Sequence, residues 1–398
     1  MKEIAQGIRY IGVDDTQLDL FESQYVVPEG MAYNSYLVLD EKVAILDTAD
    51  RRKADDWFAR LEEALEGRQP DYLVVHHMEP DHAALIGRLV ERYPAIRLVA
   101  SAKAIQLLGQ FYPAQSFQTL AVKEGDQLSL GHHVLQFFAA PMVHWPEVMV
   151  SFDAAGGILF SADAFGKFGA LSTCGFYGDE DRDWACEGRR YYFNICGKYG
   201  AQVQALLKKL APVPIQVIAP LHGPVLRKDL DQYLSLYNTW SSYGVETPGV
   251  FIAYASIHGG TADVALKLAA LLRAKGCPKV ATCDLTREDR GEAVEDAFRY
   301  GTMVLAACSY DAGLFTPAYD FLHSLQMKGW QKRRVALIEN GSWAPSAGRV
   351  MKEMLGTMKE VEQVGELLTI KSRFREEDEA GLEALANAIL SSTNDYQK

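Results

Sequence analysis

The sequence predicts a two-domain α/β protein: a layered sandwich of strands and helices over residues 1–248, then a doubly wound parallel sheet over residues 249–398. Three observations carry this expectation. A chain of 398 residues is longer than one ordinary core can serve. The first half crowds short β-branched and aromatic runs between Gly, Asp and Pro, with only occasional helical periodicity. Beyond NTWSSYGVETPG the rhythm becomes a regular alternation of unbroken apolar runs and amphipathic stretches, the pattern of a parallel sheet covered on both faces.

Taken in order, strand signals fall in MAYNSYLVLD, KVAILDTAD, YLVVHHM, IRLVAS, QLSLGHHVLQFFAA, VMVSFDAAGGILFSAD and PIQVIAP. Helical spacing appears in ADDWFARLEEALEG and AQVQALLKKLAP, and two groups of strands with helices among them suit a layered sandwich. The acidic, aromatic stretch STCGFYGDEDRDWACEGRRYYF breaks the pattern and reads as a functional loop leading into a helix. From Gly249 the order is VFIAYAS, a helix over TADVALKLAALLRAKG, KVATCDL, a helix over EDRGEAVEDAFRYG, TMVLAACS, a helix over AYDFLHSLQMKGW, and RRVALIEN. Neither repeats nor low-complexity tracts occur.

Composition narrows the functional classes. A charge of −12 and pI near 5.3 lack the basic face that nucleic acid requires. No apolar run approaches the ~18 residues of a membrane span, and MKEIAQGIRYIGV lacks the apolar core of a signal peptide, so a cytoplasmic protein is expected. The six cysteines form no Cys-x-x-Cys pair, which excludes a rubredoxin-like knuckle or zinc ribbon within the chain.

The chemistry concentrates in VVHHMEPDHAAL, residues 74–85. In an extended chain His77 and Glu79 point to one side, and after Pro80 the residues Asp81 and His82 can fold back toward the same space. Such a group, if buried, needs a cation. Three further donors stand at strand ends: His144 in PMVHWPE, Asp163 in ILFSADAF and His222 in IAPLHGP. His76 is expected to face away from His77, His132 and His133 to be solvated beside a turn glycine, and His323 to lie mid-helix at the surface or in the core.

His-x-Glu-x-Asp-His followed by single His, Asp and His resembles the diiron domain of the flavodiiron proteins, a metallo-β-lactamase-like αββα sandwich joined to a flavodoxin-like domain. The resemblance covers essentially the whole chain. It implies that His77, Glu79 and His144 hold one iron, that Asp81, His82 and His222 hold the other, and that Asp163 bridges them. Related zinc hydrolases carry His-x-His-x-Asp-His; Glu79 in place of the second histidine favours iron.

The second domain supplies a complementary pocket. In YASIHGGTAD, the residues Ser256, His258, Gly259, Gly260 and Thr261 offer hydroxyls and open backbone N–H groups to a phosphate at a helix N-terminus. ACSYDAGLF and NGSWAPSAG resemble the flavin-ring loops of flavodoxins, with Ser309, Tyr310, Asp311 and Gly313 on one side and Asn340, Gly341, Ser342 and Trp343 on the other. One phosphate loop implies FMN. Cys308 departs from the small residues common in such loops, and Glu22 stands where many flavodiiron proteins have a histidine.

The resemblance implies reduction of O2 to water, NO to N2O, or both, in a head-to-tail homodimer, or dimer of dimers, with electrons from a separate carrier such as rubredoxin. Glu22, Tyr192 (or its neighbour Tyr191) and Trp343 are the expected catalytic side chains beyond the ligands. The alternatives are a zinc hydrolase fused to a flavodoxin-like domain, and an electron carrier or sensor with a structural metal.

Overall fold

The computed structural model describes residues 2–393. They form two compact units divided between Asn238 and Thr239, earlier than the 248/249 boundary expected from the change of rhythm. The intervening stretch is tied to the second unit by its own polar groups. Trp240 is buried and its Nε1 donates to Glu246 Oε2 at 2.6 Å, while the Arg333 guanidinium donates to the carbonyls of Tyr243 and Gly244 at 2.7 and 2.9 Å.

The first unit is a sandwich of two sheets. One has seven strands in the order Glu3–Ala5, Ile8–Tyr10, Tyr36–Leu39, Val43–Leu46, Tyr72–Val75, Arg97–Ser101 and Thr119–Val122, antiparallel at the start and parallel over the last four. The other has five: Gln127–Ser129, Val134–Ala139, Met149–Asp153, Ile158–Phe160 and Val217–Ala219. Alternate residues meet between them, Val38, Leu46, Val74 and Val99 from the first against Leu135, Phe137, Met149 and Phe160 from the second. Helices lie outside; Ala54–Leu65 buries Trp57 and Leu61, and Gly200–Leu210 buries Val203 and Leu206.

The second unit has a parallel sheet in the order Val280–Asp284, Thr247–Ala255, Tyr300–Tyr310, Arg333–Asn340, then Val361–Gln363 and Leu368–Ile370 side by side on the last edge. The chain starts inside the sheet and winds outward in both directions. This places a switch point beyond the carboxyl ends of Thr247–Ala255 and Tyr300–Tyr310, where such sheets bind ligands. Val264, Leu268 and Leu272 of helix Gly260–Ala274, with Leu385 and Ile389 of helix Glu379–Thr393, cover one face over Ile252, Val304 and Ile338. Among the described residues, no helix is long and apolar enough to cross a membrane.

Candidate metal centre and ligand pocket

All seven expected ligands converge beyond the strand ends of the first unit, in two groups: His77, Glu79, His144 and Asp163, and Asp81, His82 and His222. The strand Tyr72–Val75 stops one residue before His76, so the His77–Glu79 pair projects from extended coil rather than from the strand itself. Glu79 is the N-cap of a single helical turn, Pro80–Ala83, and Pro at the first helical position fits because its missing N–H has no intrahelical partner. That turn brings Asp81 and His82 back to the site.

His77 Nε2 stands 3.2 Å from both Glu79 Oε2 and Asp163 Oδ2, and His144 Nε2 stands 3.0 and 3.3 Å from the same two oxygens. On the other side His82 Nε2 and His222 Nε2 are 3.0 Å apart, each 3.3–3.4 Å from Asp81 Oδ2 and 3.4–3.6 Å from Asp163 Oδ1. Asp163 thus turns one oxygen to each group. A ligand bond of about 2.1 Å places neighbouring donors about 3.0 Å apart on an octahedron and about 3.4 Å apart on a tetrahedron. Apart from His222 Nε2–Asp163 Oδ1 at 3.6 Å, the observed spacings fall in that range.

The cluster is also charge-hungry. Both carboxylate oxygens of Asp81 and of Asp163 are shielded from solvent without a hydrogen bond of good geometry. Burial alone would raise the Asp163 carboxyl, yet His77, His144 and His82 hold it well below the usual carboxylate range. Burial would lower His144, but Asp163 and Glu79 push it up to about 9, and His77 is likewise driven upward against burial by Asp163, Glu147 and Glu79. A divalent cation would satisfy these carboxylates more fully than imidazole protons can.

Several supporting groups escaped the sequence reading. Glu147 Oε1 accepts from His77 Nδ1 at 2.8 Å and from Met78 N at 2.9 Å, so Nδ1 carries the proton and Nε2 is left as donor to a metal. The carbonyl of Ala32 does the same for His222 Nδ1 at 2.7 Å. Asp47 accepts from His76 N at 2.7 Å and His76 Nδ1 at 2.6 Å, anchoring the segment from its other face as expected for His76. Glu147 lies in the quoted PMVHWPE and Asp47 in KVAILDTAD, but only the fold shows whom they meet.

A cavity of about 270 Å³ opens onto Glu79 and Asp81, with Phe21, Glu22, Tyr33 and Arg51 in its wall. Glu22 is at this mouth, exposed and in the left-handed region at φ 49°. Tyr192 packs against Phe193 and Tyr237, while Tyr191 lies with its ring centroid 5.5 Å from that of His222 and its phenol raised by burial, Asp163 and Asp81. The tyrosine at the centre is therefore Tyr191. His133 is also corrected: it is buried, with Nδ1 3.0 Å from Asp153 Oδ2 and Nε2 3.0 Å from the carbonyl of Gln6. His323 is exposed on its helix.

The second unit has a pocket of about 570 Å³ beyond its strand ends, formed by the three expected loops. Ser256, His258, Gly260, Thr261, Ser309, Tyr310, Asp311, Asn340, Gly341, Ser342 and Trp343 line it. Gly259 and Gly313 do not. Gly259 caps helix Gly260–Ala274 at φ 89°, and Gly313 pairs with Tyr310 in a short hairpin. The Ser309 hydroxyl accepts from Ser346 N and Ala347 N at 2.8 and 3.1 Å, tying the two ring loops together. A fourth loop was missed. Ser372 lines the pocket, exchanges two hydrogen bonds with the Asn340 amide at 3.0 and 3.1 Å, and lies so close to Gly260 that a Cβ there would sit 2.3 Å from its carbonyl oxygen. Trp343 is 92% exposed and Tyr310 49%, leaving an open aromatic rim.

Fold and site together define a class: a sandwich holding a carboxylate-rich dinuclear donor set, followed by a doubly wound sheet with a flavin-sized pocket. The model of the ODP family beta lactamase matches residues 31–223. The chain is 28% identical over 366 residues to a nitric oxide reductase of Moorella thermoacetica, covering 89% of this chain and 90% of that protein. It is 30% identical to an uncharacterized protein of Methanocaldococcus jannaschii, covering 69% of each. A putative diflavin flavoprotein A of Thermosynechococcus vestitus is 34% identical over 65% of this chain, and the chain spans about half the length of that and similar cyanobacterial relatives, 45% in this case. The solved rubredoxin oxygen:oxidoreductase of Desulfovibrio gigas superposes with a TM-score of 0.94 at 24% identity, covering 100% of this chain and 99% of that one. The chain belongs to the flavodiiron protein family.

Proposed function

We propose that the chain is an O2 and/or NO reductase whose first unit holds two irons and whose second holds FMN. The observation that carries this reading is Asp163, one oxygen turned to each of two donor groups. Glu79 makes the donor set richer in carboxylate, which favours iron over zinc and counts against the hydrolase alternative. His77, Glu79 and His144 would hold one ion, and Asp81, His82 and His222 the other. When bound, two ferrous ions and reduced FMN together supply the four electrons that turn O2 into two waters; two electrons suffice to join two NO as N2O and water.

The chain's own groups do the rest. Glu147 and the Ala32 carbonyl hold protons on Nδ1 of His77 and His222, keeping both Nε2 atoms aimed inward. Phe21 and Tyr33 supply aromatic surface to the wall of the cavity that opens onto Glu79 and Asp81. Glu22 at the mouth is the carboxylate placed to pass protons inward, and the phenol of Tyr191 stands beside His222 as a neutral donor. In the pocket of the second unit, Gly260 and Thr261 at the helix N-terminus would receive the FMN phosphate, and Tyr310 and Trp343 would offer apolar faces to the ring.

Both mouths carry exposed apolar side chains, Leu20 at one and Ile257, Tyr310 and Trp343 at the other. This supports a head-to-tail dimer in which the flavin of one subunit would serve the irons of its partner; a separate rubredoxin-like donor and a cytoplasmic setting are part of the same proposal. The test is metal and flavin analysis, then anaerobic stopped-flow of the reduced protein against O2 and NO. Two irons, one FMN and rapid reoxidation by either gas are expected. Two zincs with thioester hydrolysis and no gas consumption would overturn the reading.

A further inference from the structure

One buried charge near the metal centre has no part in the reading above. Lys167 is 2% exposed and its ammonium pairs with Asp181, itself 9% exposed. Burying both ions is costly, and such a pair is poor evidence of stability for its own sake. Its position suggests what it is for. Lys167 lies in the turn that carries Asp163, whose carbonyl accepts from Gly166 N at 3.0 Å. A Cβ on Gly223, the residue after His222, would fall 2.5 Å from Lys167 Cγ and 3.2 Å from Lys167 N, and Gly223 has φ 72°. A Cβ on Gly166 would be 3.4 Å from that of His222. The Asp163 turn and the His222 turn are therefore in direct contact along Lys167.

Asp181 closes a circuit. Its segment is bonded to the strand-like stretch after His222, Gly178 N to the Val225 carbonyl at 2.9 Å and Val225 N to the Phe176 carbonyl at 3.0 Å. From the opposite side the buried Asn34 amide donates to the carbonyls of Pro220 and Gly223 at 2.8 and 2.7 Å. His222 is held between Asn34 and the Lys167–Asp181 pair. The other half of the centre, His77, Glu79 and His144, is supported by Glu147 and Asp47 and shares with this circuit only Asp163.

We propose that the Lys167–Asp181 pair is a positioning device for one half of the centre: it sets His222 and the Oδ1 side of Asp163, and thereby the affinity of Asp81, His82 and His222 for a divalent cation. This rests on reading the cluster as a two-ion site, and the test separates the two claims. The demetallated full-length protein is titrated anaerobically with Fe2+ by calorimetry, and urea unfolding is followed in parallel. Wild type should bind two ions per chain; one ion only would remove both the two-ion reading and this inference.

In K167M the second ion should bind about tenfold or more weakly, with the first within about threefold of wild type, the range typical of disturbed supporting groups. K167R should recover much of the loss. The apolar pair K167M/D181L should regain unfolding stability, because a well-packed apolar pair replaces a buried ion pair at little cost, while the second ion stays weak. An unchanged second affinity in K167M would overturn the proposal. So would equal weakening of both ions, or recovery of the second ion along with stability in K167M/D181L.

Discussion

Replacing Glu147 tests how the first donor group is aimed. Its Oε1 accepts from two buried donors, His77 Nδ1 at 2.8 Å and Met78 N at 2.9 Å. Burial raises this carboxyl, but the two donors outweigh it and hold it below the usual carboxylate range. E147A leaves both donors unpaired, and at about 1–3 kcal/mol each the metal-free protein should lose about 2–6 kcal/mol of unfolding free energy. E147Q keeps an acceptor oxygen but puts an amide N–H₂ where Glu147 Oε2 has no partner, so its loss should be about half as large. E147A frees the His77 ring to rotate, and the ion it binds should be held about 10–100-fold more weakly, about 1.4–2.8 kcal/mol, with E147Q, which keeps the acceptor, closer to wild type. Urea unfolding of the metal-free protein and anaerobic Fe2+ titration read the two effects separately. An E147A loss below about 1 kcal/mol with unchanged Fe2+ affinity would show that Glu147 does not orient His77.

Three further outcomes are expected. E79H completes a His-x-His-x-Asp-His pattern, so the zinc-to-iron ratio in protein supplied equally with both should rise; elemental analysis reads it, and an unchanged ratio counts against Glu79 as selector. G260A places a Cβ 2.3 Å from the Ser372 carbonyl, so FMN affinity measured by fluorescence quenching should fall at least about tenfold, about 1.4 kcal/mol, with metal content unaltered. His133 has an acceptor at each ring nitrogen, and its hydrogen bond to Asp153 outweighs burial to raise its pKa. A raised folded-state pKa contributes stability that is complete below about pH 6.5 and lost as pH rises through the folded value. The stability gap between wild type and H133Q should therefore be widest near pH 6 and shrink toward pH 9; a gap that grows with pH would mean the ring is held neutral.

The clustering of the seven donors was legible because they stand at or just beyond the ends of apolar runs, and strand ends are where a layered α/β fold gathers side chains. The helical turn at Pro80 was legible for the same local reason. What stayed hidden depends on pairs distant in sequence. Glu147 meets His77 across seventy positions, and nothing in PMVHWPE separates it from a surface carboxylate. Tyr191 and Tyr192 differ only in which side of helix Trp184–Ile195 they occupy, and no periodicity in RRYYFN says which side faces His222. His133 looks like a turn residue until the strand Met149–Asp153 brings Asp153 to it. Ser372 follows the last short strand, Leu368–Ile370, whose neighbours are set only when the sheet order is known.

Charge balance links these groups into one argument. Glu79, Asp81 and Asp163 bring three negative charges into a region where Asp163 and His77 are almost wholly buried, and Glu147 adds a fourth behind His77. Two divalent cations among neutral imidazoles match those four charges, so the filled centre would be neutral in a low-dielectric interior, where an uncompensated charge is costly. A histidine at position 79 would leave one positive charge in excess, and so would an amide at position 147. The unshifted donor set needs both acids. The same balance bears on the bare chain: the surrounding carboxylates shift His77, His82 and His144 upward, so imidazole protons can offset part of the carboxylate charge. Metal loading must then release protons, and affinity must rise with pH across the range where those imidazoles titrate. Each oxidation of a bound ion would add a positive charge that the fixed carboxylates cannot match, so electron loss at this centre requires a proton to leave or an anion to enter. On the reading proposed above, Glu22 at the cavity mouth would be one titratable group placed to carry that exchange.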